Sequence, residues 1–150
     1  MFKIYIDADS CPVKQEVYRV AQRYSIKVIL VANKTINIPC EEWVELIVVS
    51  NRQDAVDDWI VDNIKQNDIV ITADIPLASC TMKKGARVLS PRGIIFTESS
   101  IGNVLATRDL MTHLRDIGVS TGGPPSFDKK DRSKFLQALD SLIHAIRNGK

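Results

Sequence analysis

The sequence predicts an α/β fold: three layers, with a mostly parallel central sheet flanked by helices. Two observations predict it. Residues 27–33 and 68–74 are nearly continuous apolar runs without alternation, the mark of strands buried on both faces, as in a parallel sheet. Around these runs, apolar residues recur at three- and four-residue spacing, so strands and helices take turns along the chain. That alternation is the pattern of right-handed βαβ crossovers.

The first strand is announced by alternating Phe2, Ile4 and Ile6, which lead directly into Asp7-Ala8-Asp9-Ser10-Cys11-Pro12. Alternation puts Asp7 and Asp9 on one side, where the chain leaves the sheet. Ser10 is placed to cap the next helix, and Pro12 suits its first turn, where a missing N–H costs nothing. Val13, Val17, Val20, Ala21 and Tyr24 carry that helix to about residue 24. After the buried strand at 27–33 come a loop at 37–39 and a further strand candidate at 44–50. Asp54 opens a helix whose apolar positions are Val56, Trp59, Ile60 and Ile64.

The buried run at 68–74 again ends in an acid. Pro76 starts a short helix that Gly85 can terminate, with Lys83 and Lys84 favourable near its C-terminal dipole. A short strand at 87–89 and a turn at 91–93 follow. A long helix is expected over 98–117, through Ile101, Val104, Leu105, Met111 and Leu114, closed by Gly118. Residues 121–125 read as a linker. The last helix, 130–147, carries Phe135, Leu139, Leu142, Ile143 and Ile146 on one stripe. Such a stripe needs a surface to cover, so this helix is expected to pack back on the domain.

A chain of 150 residues, 45% hydrophobic and 25% charged, has the make-up of one ordinary globular domain. Its net charge of +2 announces no general affinity for nucleic acid, so any basic face must be local. No apolar run approaches the ~20 residues of a membrane span, and the first residues lack a signal peptide's long apolar core. A cytoplasmic protein is expected. Cys11, Cys40 and Cys80 are far apart and form no CxxC pair, which suits a reducing compartment and offers no zinc spacing. His113 and His144 are the only histidines, too few for a histidine-rich metal site.

The chemistry lies in the acids. Asp7, Asp9 and Asp74 stand at strand C-termini, and ligands of open α/β sheets bind beyond those ends. Asp54, Asp57 and Asp58 begin one helix and share a face by three- and four-residue spacing. A helix dipole favours acids there by ~0.3–1 kcal/mol each, which is explanation enough for Asp54. Three such acids converging on three more call for a counter-ion. Hard oxygen donors without Cys or His suit Mg2+ or Mn2+, and an ion of that kind typically handles phosphates.

The basic residues read more plainly. Lys14, Arg92, Arg108, Arg115 and Arg132 are, one by one, ordinary surface charges. Arg92 stands out because it follows Pro91 in a turn after a strand. Arg108-Asp109 reads equally as an internal pair or a phosphate clamp. Thr121-Gly122-Gly123 could offer backbone N–H groups to a phosphate, although two glycines before two prolines also make a shaped turn. Cys11 lies near a helix N-terminus, where a thiolate is stabilised. With no histidine nearby in sequence, a small, partly buried Cys is the simpler reading.

Taken in order, Asp7-Ala8-Asp9-x-Cys11-Pro12-Val13-Lys14, Val31-Ala32-Asn33, Asp54-x-x-Asp57-Asp58, 70–78 (with Thr72-Ala73-Asp74), Pro91-Arg92-Gly93, Arg108-Asp109, Thr121-Gly122-Gly123-Pro124 and Asp131-Arg132 resemble the YaiI/YqxD family of uncharacterised bacterial proteins. The resemblance spans essentially the whole chain. It implies a fold similar to the PIN-like nuclease domains over 1–150, with acids that bind a divalent metal. The first-strand acid corresponds to Asp7, the helix acids to Asp54 or Asp58, and the Thr-x-Asp strand end to Thr72 and Asp74. PIN nucleases commonly add an acid after that strand, yet residues 75–97 contain no Asp or Glu; Asp9 is the substitute at hand.

The resulting expectation is a metal-dependent nuclease acting on RNA. Asp7, Asp9, Asp58 and Asp74 would carry the chemistry, and the same four with Asp54 would hold Mg2+ or Mn2+. Lys14, Thr72, Arg92, Arg108, Gly122, Gly123 and Arg132 would contact RNA or another phosphate-bearing substrate. Two alternatives stand beside it. Asp-x-Asp after a first strand also resembles the haloacid-dehalogenase phosphatases, in which Asp7 would be the nucleophile. The other is a non-catalytic nucleic-acid-binding module.

Overall fold

The computed structural model describes residues 2–52, 54–97 and 129–149. The helix expected over 98–117 and the linker at 121–125 lie outside them. Among the described residues six strands form one sheet in the order β3-β2-β1-β4-β5-β6. They are β1 (Ile4–Asp7), β2 (Val28–Ala32), β3 (Val44–Val48), β4 (Ile69–Ile71), β5 (Arg87–Leu89) and β6 (Ile95–Phe96). The first five run parallel, and β6 returns antiparallel to β5. The helices are α1 (Lys14–Tyr24), α2 (Ala55–Asn63), α3 (Ile75–Lys83) and α4 (Lys129–Arg147). A mostly parallel sheet flanked by helices is the architecture the apolar runs predict.

Each face of the sheet buries its own core. On one side Ile4 and Ile6 pack with Val17 and Ala21 of α1 and with Phe135, Leu139 and Ile143 of α4. On the other, Tyr5, Val31 and Val70 pack with Val56 and Ile60 of α2 and Leu77 of α3. Phe135 and Leu139 are fully buried. Burial of that extent contributes roughly 1.5–3 kcal/mol for each side chain and holds the C-terminal helix on the domain, as its stripe predicts. At the far end of α1, the Tyr24 hydroxyl donates to Asp140, and Arg147 Nη2 donates to the Tyr24 carbonyl at 2.6 Å.

Three local readings change. The alternation argument for Asp9 fails because β1 stops at Asp7: Ala8–Ser10 is a 3-10 turn, and Asp9 is exposed on it. A period-two argument ends where the strand ends. The helix at 14 is capped by Val13 with no side-chain cap bond, so Ser10 is not its cap. Finally, β6 has only two residues, too few to leave a periodic signal in the sequence. The Ser90 hydroxyl creates it by accepting the N–H groups of Arg92 (3.3 Å) and Ile94 (3.1 Å), closing the 91–93 turn into a hairpin. Gly93, at φ +87°, has no room for a Cβ, which would stand 2.7 Å from the Lys134 carbonyl carbon. The hairpin turn thus lies directly against α4.

Strand order places the ligand crevice. From β1 the chain moves outward to β2 and β3, then crosses back to β4 on the other side of β1. The C-terminal ends of β1 and β4 therefore flank the switch point, where open α/β sheets bind ligands.

Candidate functional site

Asp7 is the last residue of β1 and half-buried. Alternation aims its side chain to the side of Tyr5, the face covered by α2 and α3. One hydroxyl links it to the neighbouring strand tip. Thr72, just past β4 and 1% exposed, donates from Oγ1 to Asp7 Oδ2 at 3.4 Å and accepts the Asp74 N–H at 3.0 Å. Asp74 in turn is the N-cap of α3, and its Oδ1 accepts the Leu77 N–H at 3.0 Å. Both acids are thus held by short-range bonds at the switch point. Thr72, expected to touch substrate, lies beneath the acids with its hydroxyl engaged inside the protein.

The helix acids sort by face. Asp57 is half-buried, and burial first, then the charges of Asp74 and Asp7, push its carboxyl up to about 6. It is the helix acid on the less exposed side of α2, and the one on which the strand-tip charges act. Asp58, the residue the sequence reading placed there, turns outward and pairs with Arg52 at 3.0 Å, both side chains more than half exposed. Asp54 is also exposed; it enters α2 in the left-handed region at φ 68°, and its carbonyl accepts the Asp58 N–H at 2.8 Å. A signal for Asp57 does exist in the sequence. It lies three residues before Ile60 and seven before Ile64, both buried, whereas Asp54, Asp58 and Asp62 follow one another at four-residue spacing on the exposed flank.

That geometry sets the outcome for Asp58→Asn. An exposed pair such as Arg52–Asp58 is worth at most ~1 kcal/mol. The substitution is therefore expected to change stability by less than ~1 kcal/mol in chelator. Thermal melts would check it, and a rise of several degrees would return Asp58 to the site.

A cationic rim stands beside β1. Lys14 Nζ donates to the Cys11 carbonyl at 3.0 Å and Arg132 Nη1 to the Pro12 carbonyl at 3.2 Å, so two cations from α1 and α4 grip one loop. Arg132 also pairs with Glu16 at 2.9 Å, and Arg92 on the hairpin turn pairs with Asp131 at 3.5 Å. Three of the expected phosphate-contacting residues thus gather around α4's first turns, each bonded within the protein. Arg108, Gly122 and Gly123 lie outside the described residues. Cys11 is buried, and burial pushes its thiol up to about 11. It is a small core residue with no poised thiolate.

Asp7, Asp57 and Asp74 offer oxygen donors alone, the chemistry that suits Mg2+ or Mn2+. Among the described residues no group of three or more His, Cys, Asp or Glu side chains is arranged to hold a metal ion. Mg2+ commonly binds through one or two carboxylates and keeps several waters, and the strand-tip pair fits that mode.

Fold and site define an α/β protein with acids at the switch point of a parallel sheet and cations on one flank. The chain belongs to the family described as "Uncharacterized BCR, YaiI/YqxD family", whose profile matches residues 5–145. It is 54% identical over 144 residues to a "UPF0178 protein" of Rhodopseudomonas palustris (strain TIE-1), covering 96% of this chain and 91% of that one. A "UPF0178 protein" of Brucella ovis is 55% identical over 145 residues (96% and 90% of the two chains), and one of Nitrobacter winogradskyi 53% over 145 (97% and 92%). No solved structure matches the chain. No helix among the described residues is long and apolar enough to cross a membrane.

Proposed function

We propose that the protein is a divalent-metal-dependent phosphodiester hydrolase with a PIN-like domain, a nuclease acting on RNA. One observation carries the reading: at the switch point the Thr72 hydroxyl joins Asp7 and the Asp74 backbone, and on the half-buried Asp57 of a third element the charges of Asp74 and Asp7 add to burial in raising the carboxyl. Capping accounts for Asp74 and the α2 dipole favours Asp57, but neither accounts for Asp7 beside them. Structural ion pairs also shift pKa values, but here the charged neighbours are acids, whose repulsion a cation or a proton would relieve.

Asp7 and Asp74 would hold Mg2+ or Mn2+, with Asp57 as the nearby third acid in the place first given to Asp58. A divalent ion supplies activation of water and charge neutralisation at a phosphate. Thr72 fixes the Asp7 carboxylate, and α3's first turn fixes that of Asp74. Asp57, with its pKa raised to about 6, is the carboxylate best suited to take a proton near neutral pH, because basicity close to the working pH favours transfer. Lys14, Arg92 and Arg132 would receive the phosphates flanking the cleaved bond, Arg92 and Arg132 exchanging their carboxylate partners Asp131 and Glu16 for them.

Calorimetric titration with manganese tests the foundation. Wild type should bind one ion per chain, and Asp7→Asn should show little or no heat. Equal heats from the two proteins would overturn the assignment of the ion to the strand tips.

A further inference from the structure

The cationic rim lies to one side of the acids. Two further cations stand at the same edge of the sheet, on the other side. β1, β2 and β3 are parallel, with Asp7 beside Val31 and Val31 beside Ile47, so their C-terminal tips form one row. The β2–β3 pairing runs to the end of both strands, where the Val49 N–H donates to the Ala32 carbonyl at 2.8 Å. Just beyond, Asn33 leads into Lys34 on the tip next to that of Asp7, and Ser50-Asn51-Arg52 leads from the β3 tip into α2. Along the row the acids after β1 and β4 therefore lie between Arg92, which follows β5, and the pair Lys34 and Arg52.

Both cations have donors to offer. Lys34 is exposed and makes no ion pair or hydrogen bond among the described residues. The Arg52 side chain is 62% exposed and held by one contact, Nη2 donating to Asp58 Oδ2 at 3.0 Å. A guanidinium carries five N–H donors in a planar fork that matches two phosphate oxygens, so this bond leaves most of them open. The Arg52 backbone, by contrast, is fixed: its N–H donates to the Ser50 hydroxyl at 3.4 Å and its carbonyl accepts the Ala55 N–H at 3.1 Å. Asp58 ties this cation to the acidic site, because it adjoins Asp57, on which the charges of Asp74 and Asp7 act. An exposed pair of this kind is worth little, so a phosphate can take Arg52 from Asp58 at small cost.

We infer that Lys34 and Arg52 bind phosphates of the substrate strand on the β2/β3 side of the acids, with Asp58 holding Arg52 until a phosphate replaces it. This rests on the nuclease reading and adds a second flank to it. The strand lies along the row of tips, across the acids, and is held on both sides of them.

Binding can be tested without cleavage, by anisotropy of a short labelled oligoribonucleotide with the Asp7→Asn variant in chelator. Adding Lys34→Ala or Arg52→Ala should weaken binding roughly three- to ten-fold at low salt, and each should flatten the slope of log Kd against log salt by about 0.7. Lys83→Ala makes the same change in net charge at the exposed end of α3, at the opposite edge of the sheet, and should leave Kd within about two-fold. Asp58→Asn releases Arg52 and should tighten binding more than Asp62→Asn, one turn further along the same exposed flank of α2. That extra gain should disappear when Arg52→Ala is also present. Equal weakening by Lys83→Ala, Lys34→Ala and Arg52→Ala would reduce the effect to net charge and overturn the flank. So would unchanged affinity in both Lys34→Ala and Arg52→Ala while Arg132→Ala weakens binding, a result that leaves the nuclease reading standing. Absence of both RNA binding and RNA cleavage in wild type would strike the nuclease reading itself, and the flank with it.

Discussion

In chelator at pH 7.5, Asp57→Asn is expected to melt about 2–8 °C above wild type. The expectation follows from linkage. Asp57 titrates near its ordinary 3.8 in the unfolded chain and near 6 in the folded one, raised by burial and then by Asp74 and Asp7. Between those values the folded state binds more protons than the unfolded state, so stability falls as pH rises from about 4 to about 6. Above 6 the cost is complete. Two pKa units amount to ~3 kcal/mol, but the side chain is only half-buried, and solvent screening brings the figure to roughly 1–2 kcal/mol. At about 2–4 °C per kcal/mol for a chain of this size, that gives the stated rise. Asparagine keeps the shape and removes the charge, so the advantage should vanish at pH 4, where both proteins carry a neutral side chain. Added manganese should reverse the order. Wild type gains RT ln(1 + [L]/Kd), about 2.7 kcal/mol at one hundred times Kd, while the variant gains less. A variant that melts at or below wild type at pH 7.5, or keeps its advantage at pH 4, would show that Asp57 is not crowded by the strand-tip acids.

The same residue marks where sequence reading stops. Continuous apolar runs locate β2 and β4 because strands buried on both faces admit little else, and helical stripes place the end of α1 and both ends of α4 to within about a residue, while α1 starts at Lys14, after Pro12 rather than around it. Asp7 and Asp74 were legible because acids that end apolar runs stand out against them. Among three clustered acids on α2, however, the composition is the same whichever one faces inward. The choice depends on the helix's rotation about its axis, which Val56, Ile60 and Ile64 set by burying against the sheet. Asp9 was misplaced for a related reason: the sequence does not say that the chain turns into a 3-10 helix one residue after Asp7. The Thr72 hydroxyl is the subtlest case. Its bonds to Asp7 and to Asp74 join residues 65 positions apart at one atom, and only the strand register brings Ile6 beside Ile71 to make that possible.

Cleavage of RNA should fall roughly a hundred- to thousand-fold or more in Asp7→Asn, the scale of losing one preorganised electrostatic group at a reacting centre. Asp7 ends the central strand of the switch point, and Asn there is nearly the same size, so the fold should survive. Asp74 needs more care because it also caps α3. Asp74→Asn keeps a good cap and removes only the charge, whereas Asp74→Ala loses the cap as well, at about 1 kcal/mol. Comparable loss of cleavage in Asp74→Asn and Asp74→Ala, with destabilisation in Asp74→Ala alone, would assign Asp74's contribution to its charge. The phosphatase alternative uses the same Asp7 differently. As a nucleophile it would attack the phosphorus of a small phosphate ester, release the alcohol and carry an acid-labile acyl phosphate. A hydrolase that activates water forms no such bond. Mass spectrometry of acid-trapped protein after incubation with p-nitrophenyl phosphate separates the two. Unmodified Asp7 is the expected result; a phosphoryl group on Asp7, absent from Asp7→Asn, would replace the nuclease with a phosphatase.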